Sequence, residues 1–373
     1  MTEHKETAMS RRRFLAATAS TVALTAVPTI ILPKRAEAYQ PGGRIHPNVN
    51  PLRVVGVTDP GMTAAVKENA SWAEQEELVV SDVIQENMDR MAVALAEESS
   101  PADAWKKILL KPPAKSWNDV VIGIKSNQAH LQHPQSVVLG KVCRVLTDLL
   151  GAKGSNIHVY DACKGHDMAT LTPFKGLPEG VHLAGTWGGY NTDTTVARPY
   201  FDGQRHSRCI APLVRNEVDI LIDMAMCKGH NREFGGFTMC MKNYFGTFDP
   251  APAHKDGGGA DYLIGINKSP EILGRIDART GDVLFPRQQL CIVDALWASK
   301  RGPRLPPNAQ PNALLMGVFG PAVDYVCAMR LRKDVLGWPV QEQVAGRFLT
   351  EFGYSESDLP NGGQIINAAA TRA

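Results

Sequence analysis

Runs of consecutive apolar residues alternate along this chain with stretches whose apolar positions recur every three or four residues. Positions 53–57 form a short β-branched run that ends at Asp59-Pro60. Positions 79–97 then place Val80, Val83, Ile84, Met88, Met91 and Leu95 on one helical face, and Pro101 opens a second helix to Leu110. Residues 119–125 (DVVIGIK) read as a buried strand, followed by a helix from Pro134 to Leu150 and a strand at 156–161 (NIHVYD). Residues 181–186 are a further candidate strand, and 217–227 (EVDILIDMAMC) hold a strong one. A helix is expected around 237–245, strands at 289–296 and 313–319, and helices over 322–336 and 340–352. Strands that are apolar on both faces and alternate with helices predict an α/β protein with a mainly parallel sheet and helices on both faces.

No repeat, low-complexity tract or clear interdomain linker interrupts this pattern. Residues 52–373 are therefore expected to form a single α/β domain, preceded by a Pro/Gly/Asn-rich arm at 39–51. Residues 301–311 (RGPRLPPNAQP) form the longest expected exposed loop. A chain of this size buries roughly 75% of its unfolded surface, so its core needs no staple.

The segment before the arm differs from the rest. Ser10-Arg11-Arg12-Arg13-Phe14-Leu15 precedes a Thr- and Ala-diluted apolar stretch to Leu32, and Ala36-Glu37-Ala38 supplies an A-x-A site. Twin arginines, a weak apolar region and that site predict a Tat signal peptide over residues 1–38, cut after Ala38. The apolar stretch holds four Thr, one Ser and Pro28, too polar for a stable membrane span. The expected location is the periplasm or the extracellular side, with the Tat translocase as partner during export. The leader carries six basic and three acidic residues, leaving 34 basic against 35 acidic in the other 335. That balance offers no global field for nucleic acid or anionic membrane. The seven cysteines contain no C-x-x-C pair, which excludes zinc-ribbon and ferredoxin-type patterns and leaves core cysteine as the default.

Candidate chemistry lies where the apolar runs stop. The strand at 119–125 exits into Lys125-Ser126-Asn127, the strand at 156–161 into Asp161, the strand at 217–227 into Lys228-Gly229-His230, and the strand at 289–296 into Asp294. Ligands of open parallel sheets collect outside the carboxyl ends of strands. Lys242 and Asn243 lie in FGGFTMCMKNYFGTF, where an ammonium is costly to desolvate unless it meets an anion or loses its proton. His254-Lys255-Asp256 before Gly257–Gly259 is expected to be a flexible loop able to close over a site. The function expected from these residues is an enzyme acting on a small anion, a carboxylate or phosphate ester. Lys125, Asn127, Lys228 and Asn243 would bind the ligand, with His230, Lys242 and Asp294 catalytic: His230 as general acid/base, Asp294 orienting it or a lysine. The alternative is a non-catalytic ligand- or cofactor-binding accessory protein of an exported redox system. A metal site from His230, His254 and Asp161 or Asp294 has no H-x-H or H-x-x-x-H spacing behind it. No cofactor is specified.

These motifs resemble the domain of unknown function 362 family over about residues 119–330. The resemblance rests on Ile124-Lys125-Ser126-Asn127, on Lys228-Gly229-His230, on Gly236…Met241-Lys242-Asn243-Tyr244-Phe245-Gly246, and on Asp294 and Asp324, matched to the family's later strand aspartates. Ser126, Gly229 and Gly320 replace the Pro, Thr and Asp of the family pattern. The resemblance implies the α/β fold and the position of the site but no assigned reaction.

Overall fold

A computed structural model describes residues 44–128, 131–162, 168–186, 192–196, 206–210, 218–277, 279–302 and 304–368. The leader, the start of the arm and Cys163 lie outside the described residues. The described part falls within one compact unit, Ala36–Ala373.

Its centre is an eight-stranded sheet of β1 (Val55–Thr58), β2 (Ile122–Ser126), β3 (Ile157–Asp161), β4 (His182–Gly185), β5 (Ile220–Met226), β6 (Gln288–Ala295), β7 (Ala313–Gly317) and β8 (Ile366–Asn367). The spatial order is β8-β1-β7-β6-β5-β2-β3-β4. Neighbours are parallel except at β6/β7 and β7/β1, so β7 alone runs against the rest. The fold is α/β, as the alternating pattern predicts.

Strand residues divide by parity between two cores. Ile220, Ile222 and Met224 face a layer with the helices Ser81–Ala96, Pro101–Ile108 and Ser136–Arg144. Leu221 and Ala225 face the other layer, with Gly259–Asn267, Gly320–Val326 and Glu342–Thr350. Each fully buried Ile or Leu contributes about 1.5–3 kcal/mol by leaving water. Local signals place the helix starts: Ser71 and Glu74 form a capping box before Trp72–Leu78, and Ser100 accepts from Asp103 N just ahead of Pro101.

Three local expectations need correction. The 237–245 segment holds a two-residue strand, Phe237–Thr238, paired with Lys228–Gly229, and a single helical turn, Cys240–Asn243. Gly235 and Gly236 both adopt positive φ, 91° and 84°, which reverses the chain and prevents a continuous helix. The loop expected around 254–259 is shorter, residues 255–258: His254 ends the helical turn Ala251–His254 and Gly259 begins the next helix. Asp324 lies on the Gly320–Val326 helix rather than on a strand.

Two buried features follow from this packing. A Cβ on Gly229 would stand 2.1 Å from the Lys300 carbonyl oxygen, so only glycine fits beside that loop. Arg332 is fully buried, with its guanidinium 4.9 Å from the Trp338 ring, donating to the Ser299 carbonyl at 3.0 Å and facing Cys227 Sγ at 3.8 Å. Hydrogen bonding from Cys327, then the Arg332 charge, outweighs burial and brings the Cys227 thiol down to about 7. The Cys227 sulfur thus lies against a buried guanidinium.

Gly229→Thr is expected to lower stability by about 1–3 kcal/mol through overpacking, read from urea denaturation. Cys227→Ala is expected to cost about 3–5 kcal/mol, because it strands the Arg332 charge. Cys143→Ala, which removes only packing, should cost about 1 kcal/mol. Equal losses in the two alanine variants would show that the Cys227 sulfur carries no charge.

Candidate functional site

β2, β3 and β4 progress in one direction across the sheet, and β5 and β6 in the other. The strand order reverses between β2 and β5, and the carboxyl ends of strands at such a point are the usual ligand position in open sheets. Lys125 sits at the end of β2 and Lys228 just beyond β5. The segment from Arg232 to Asn243 returns over these strand ends, where Asn243 bonds to Lys125, Asp223 and Met224.

Lys125 is fully buried. Its Nζ donates to Asp161 Oδ1 at 2.6 Å, to the Ser126 carbonyl at 2.7 Å and to Asn243 Oδ1 at 3.3 Å. Asp161 also accepts from Gln128 N (2.5 Å) and Ala162 N (2.7 Å), so the pair ties the exits of β2 and β3 together. Asn243 Nδ2 in turn donates to Asp223 Oδ1, the Lys125 carbonyl and the Met224 carbonyl. These contacts commit Lys125 and Asn243 to holding three segments in place.

Lys228 is also fully buried, donating to Asn127 Oδ1 at 2.5 Å and to the Gln132 carbonyl at 2.6 Å. Burial pulls its pKa down to about 7; Lys125 lowers it too, while Asp161 and Asp294 pull the other way. Asp294 accepts from Gln135 N at 2.9 Å and from Leu296 N at 3.1 Å, and burial raises it to about 6. Its oxygens are thus engaged with backbone, and Lys228 feels it through space.

Lys242 differs from the other two. Its ammonium lies 4.3 Å from the Phe245 ring centroid and 5.0 Å from that of Phe234, and no hydrogen bond or ion pair from a described residue reaches it. The side chain is half-buried. Burial, then Lys228 and Lys125, bring its pKa down to about 7. The His254 ring packs on Phe234 and Phe245 at 4.9 and 5.4 Å, and His230 lies 5.6 Å from His254 and 4.8 Å from Phe234. Burial and the Lys242 charge push His254 down to about 4, so it is neutral at pH 7. His230 Nδ1 accepts from Asn231 N at 2.8 Å, which directs Nε2 away from the backbone.

The three lysines therefore interact electrostatically at one end of the sheet, with Asn127, Asn243, Asp294 and His230 around them. Asp161, Asp223, Phe234 and Phe245 are the residues sequence reasoning undervalued. Asp223 had a visible signal, a carboxylate in the middle of an otherwise apolar strand. Among the described residues, His230, His254 and Asp161 or Asp294, the set whose spacing gave a metal site no support, do not gather at metal-ligand distance. A separate cavity of about 240 Å³ at the opposite end of β5, lined in part by Asp219, Arg275 and Arg287, lies away from the lysines.

No curated protein and no solved structure matches the chain. The profile described as Domain of unknown function (DUF362) matches residues 122–329, from the first residue of β2 to the helical segment that follows Asp324. That span holds every lysine, carboxylate and imidazole of the site and covers more than half of the sequence, and the chain belongs to the DUF362 family.

Proposed function

We propose that this protein is an exported enzyme acting on a small anionic molecule, a carboxylate or phosphate ester, at the carboxyl ends of β2 and β5. The observation that carries the reading is Lys242: a half-buried ammonium without a hydrogen-bond partner among the described residues, beside two further lysines. Like charges this close repel, and an anion relieves the repulsion. Lys125 and Lys228 supply positive field from below while their own bonds tie the strand exits together. Lys242 makes direct contact with the anion. An amine near pKa 7 also exchanges protons readily at neutral pH, so Lys242 serves as acid or base as well as binder. His230 is the second proton-transfer group, and Asp294 tunes Lys228.

The second reading, a non-catalytic ligand- or cofactor-binding accessory protein of an exported redox system, uses the same lysines. It is favoured by the commitment of Asp294 to backbone amides, which leaves His230 without that carboxylate as an orienting partner. Export rests on the Arg11-Arg12 leader, for which the Tat translocase is the transient partner. No helix among the described residues is long and apolar enough to cross a membrane.

Titration calorimetry with a panel of small carboxylates and phosphate esters tests the site. Lys242→Met is expected to weaken binding roughly 10- to 150-fold, the value of a charged hydrogen bond of about 1.5–3 kcal/mol, at an unchanged or higher melting temperature. A Lys242→Met protein that unfolds would instead mark the lysine as structural. Affinity should be greatest below pH 7 and fall about tenfold per pH unit above it, because the amine loses the charge the anion needs. His230→Gln separates the two readings. An enzyme loses about 10²- to 10⁴-fold in turnover with binding nearly intact, whereas an accessory protein shows no turnover to lose.

Replacing Arg11 and Arg12 by Lys is expected to leave precursor in the cytoplasm. Unchanged accumulation outside it, seen by fractionation, would refute Tat export.

A further inference from the structure

Lys125, Asp223 and Cys291 are lateral neighbours in register across β2, β5 and β6, on the same face of the sheet. The Cys240–Asn243 turn lies over this row and adds Cys240. A carboxylate oxygen of Asp223 and the sulfurs of Cys240 and Cys291 all lie within 4.8 Å of one another, with the three residues fully buried. Asp223 Oδ1 accepts from Asn243 at 2.7 Å, but Oδ2 is buried with no partner. An orphaned carboxylate oxygen at the centre of a core is expensive, and native structures rarely leave one without a reason. Cys291 Sγ also stands 3.2 Å from Gln288 Oε1, which places a neutral oxygen beside that sulfur.

We propose that Asp223, Cys240 and Cys291 form a structural binding site for a zinc-type divalent cation, with Gln288 Oε1 as the fourth ligand. Two thiolates with two oxygens suit a borderline-soft ion that accepts tetrahedral geometry, and do not suit magnesium or calcium. Metal bonds of about 2.0–2.3 Å require the three groups to close by about an ångström. Binding takes both thiols as thiolates and the carboxyl as a carboxylate, and releases their protons. Ion and ligands together carry one negative charge. Lys125, paired with Asp161 and hydrogen-bonded to the Asn243 amide that also holds Asp223, adds positive field on that side.

The surroundings fit an oriented site. Asp324 accepts from Cys240 N at 2.7 Å and from Met241 N at 3.0 Å, fixing the backbone that presents the Cys240 sulfur. Gly320 N donates to Gln288 Oε1 at 3.3 Å, and a side chain at position 320 would begin 3.2 Å from that oxygen and 3.4 Å from Cys240 Cβ. The site is closed on every side, so the ion enters during folding and does not exchange with substrate.

The full-length protein, produced in medium supplemented with cobalt, provides the test. About one equivalent of cobalt is expected to survive dialysis against a chelator, with a thiolate-to-cobalt charge-transfer absorption. X-ray absorption should show two sulfurs and two oxygens around it. Cys240→Ser and Cys291→Ser should each lose the charge-transfer band or halve its sulfur contribution, and Asp223→Asn should lose retention. Lys242→Met should keep the metal, which separates this site from the anion site. A cobalt shell without sulfur in the wild-type protein overturns the proposal even if the serine variants fail to fold. So do retention undiminished in the Cys240→Ser/Cys291→Ser double variant, no stoichiometric cobalt, or a Cys240–Cys291 disulfide in protein as isolated.

Discussion

Keeping the Lys125 ammonium charged inside the core is the constraint around which this end of the molecule is organised. The desolvation cost of such a group is several kcal/mol, and it is met only when every proton finds an oxygen. Lys125 finds three, from β3, from its own strand exit and from the Cys240–Asn243 turn. Each partner is itself held: Asp161 by the amides of Gln128 and Ala162, Asn243 by two backbone carbonyls and Asp223. Removing any one leaves a charge or an amide unsatisfied in a place water does not reach. Lys228 repeats the arrangement one strand away with Asn127 and Gln132, and the outcome is a rigid floor on which Lys242 is the adaptable group.

The buried titratable groups around that floor impose a dependence on pH with a definite shape. Asp294 and Asp324, raised from 3.8 to about 6 and 7, hold protons in the folded state that the unfolded chain has released. Their penalty is absent at low pH, grows above 3.8, and is complete once the pH passes the folded value. Lys228 and Lys242, lowered from 10.5 to about 7, are charged in the unfolded chain over the range from 7 to 10.5, where the folded state has lost the proton. Their penalty is full below 7 and fades as the pH rises toward 10.5. The two penalties coincide near neutrality, where a bound anion or cation has the most to relieve.

Much of this arrangement was legible in the sequence because burial on both faces demands apolar runs, and a run must end in polar residues. That logic located Lys125, Asn127, Lys228 and Asp294 at the ends of their strands. Strand direction leaves no such mark: the apolar run of β7 looks like its neighbours, although it alone is reversed. The segment 237–245 misleads because its apolar spacing satisfies a helix while two left-handed glycines just before it turn the chain into a short strand pair. Asp223 was passed over because a single charge in a long apolar run reads as an interruption. Its meaning depends on Cys240 and Asn243, which are distant in sequence and adjacent only once the turn closes.

The order of strands in the sheet also fixes an order in time. β1, at positions 55–58, pairs only with β7 at 313–317 and β8 at 366–367. At a synthesis rate of about 5–20 residues per second, roughly 13–50 s pass between the emergence of β1 and that of its first partner. Throughout that interval a strand with three buried residues out of four has no sheet to join, and the long sequence separation makes its docking slow even afterwards. β1 therefore cannot join the sheet until the chain has been made as far as β7. In that interval residues 55–58 are an unpaired apolar strand that a chaperone could shield until its partners are made.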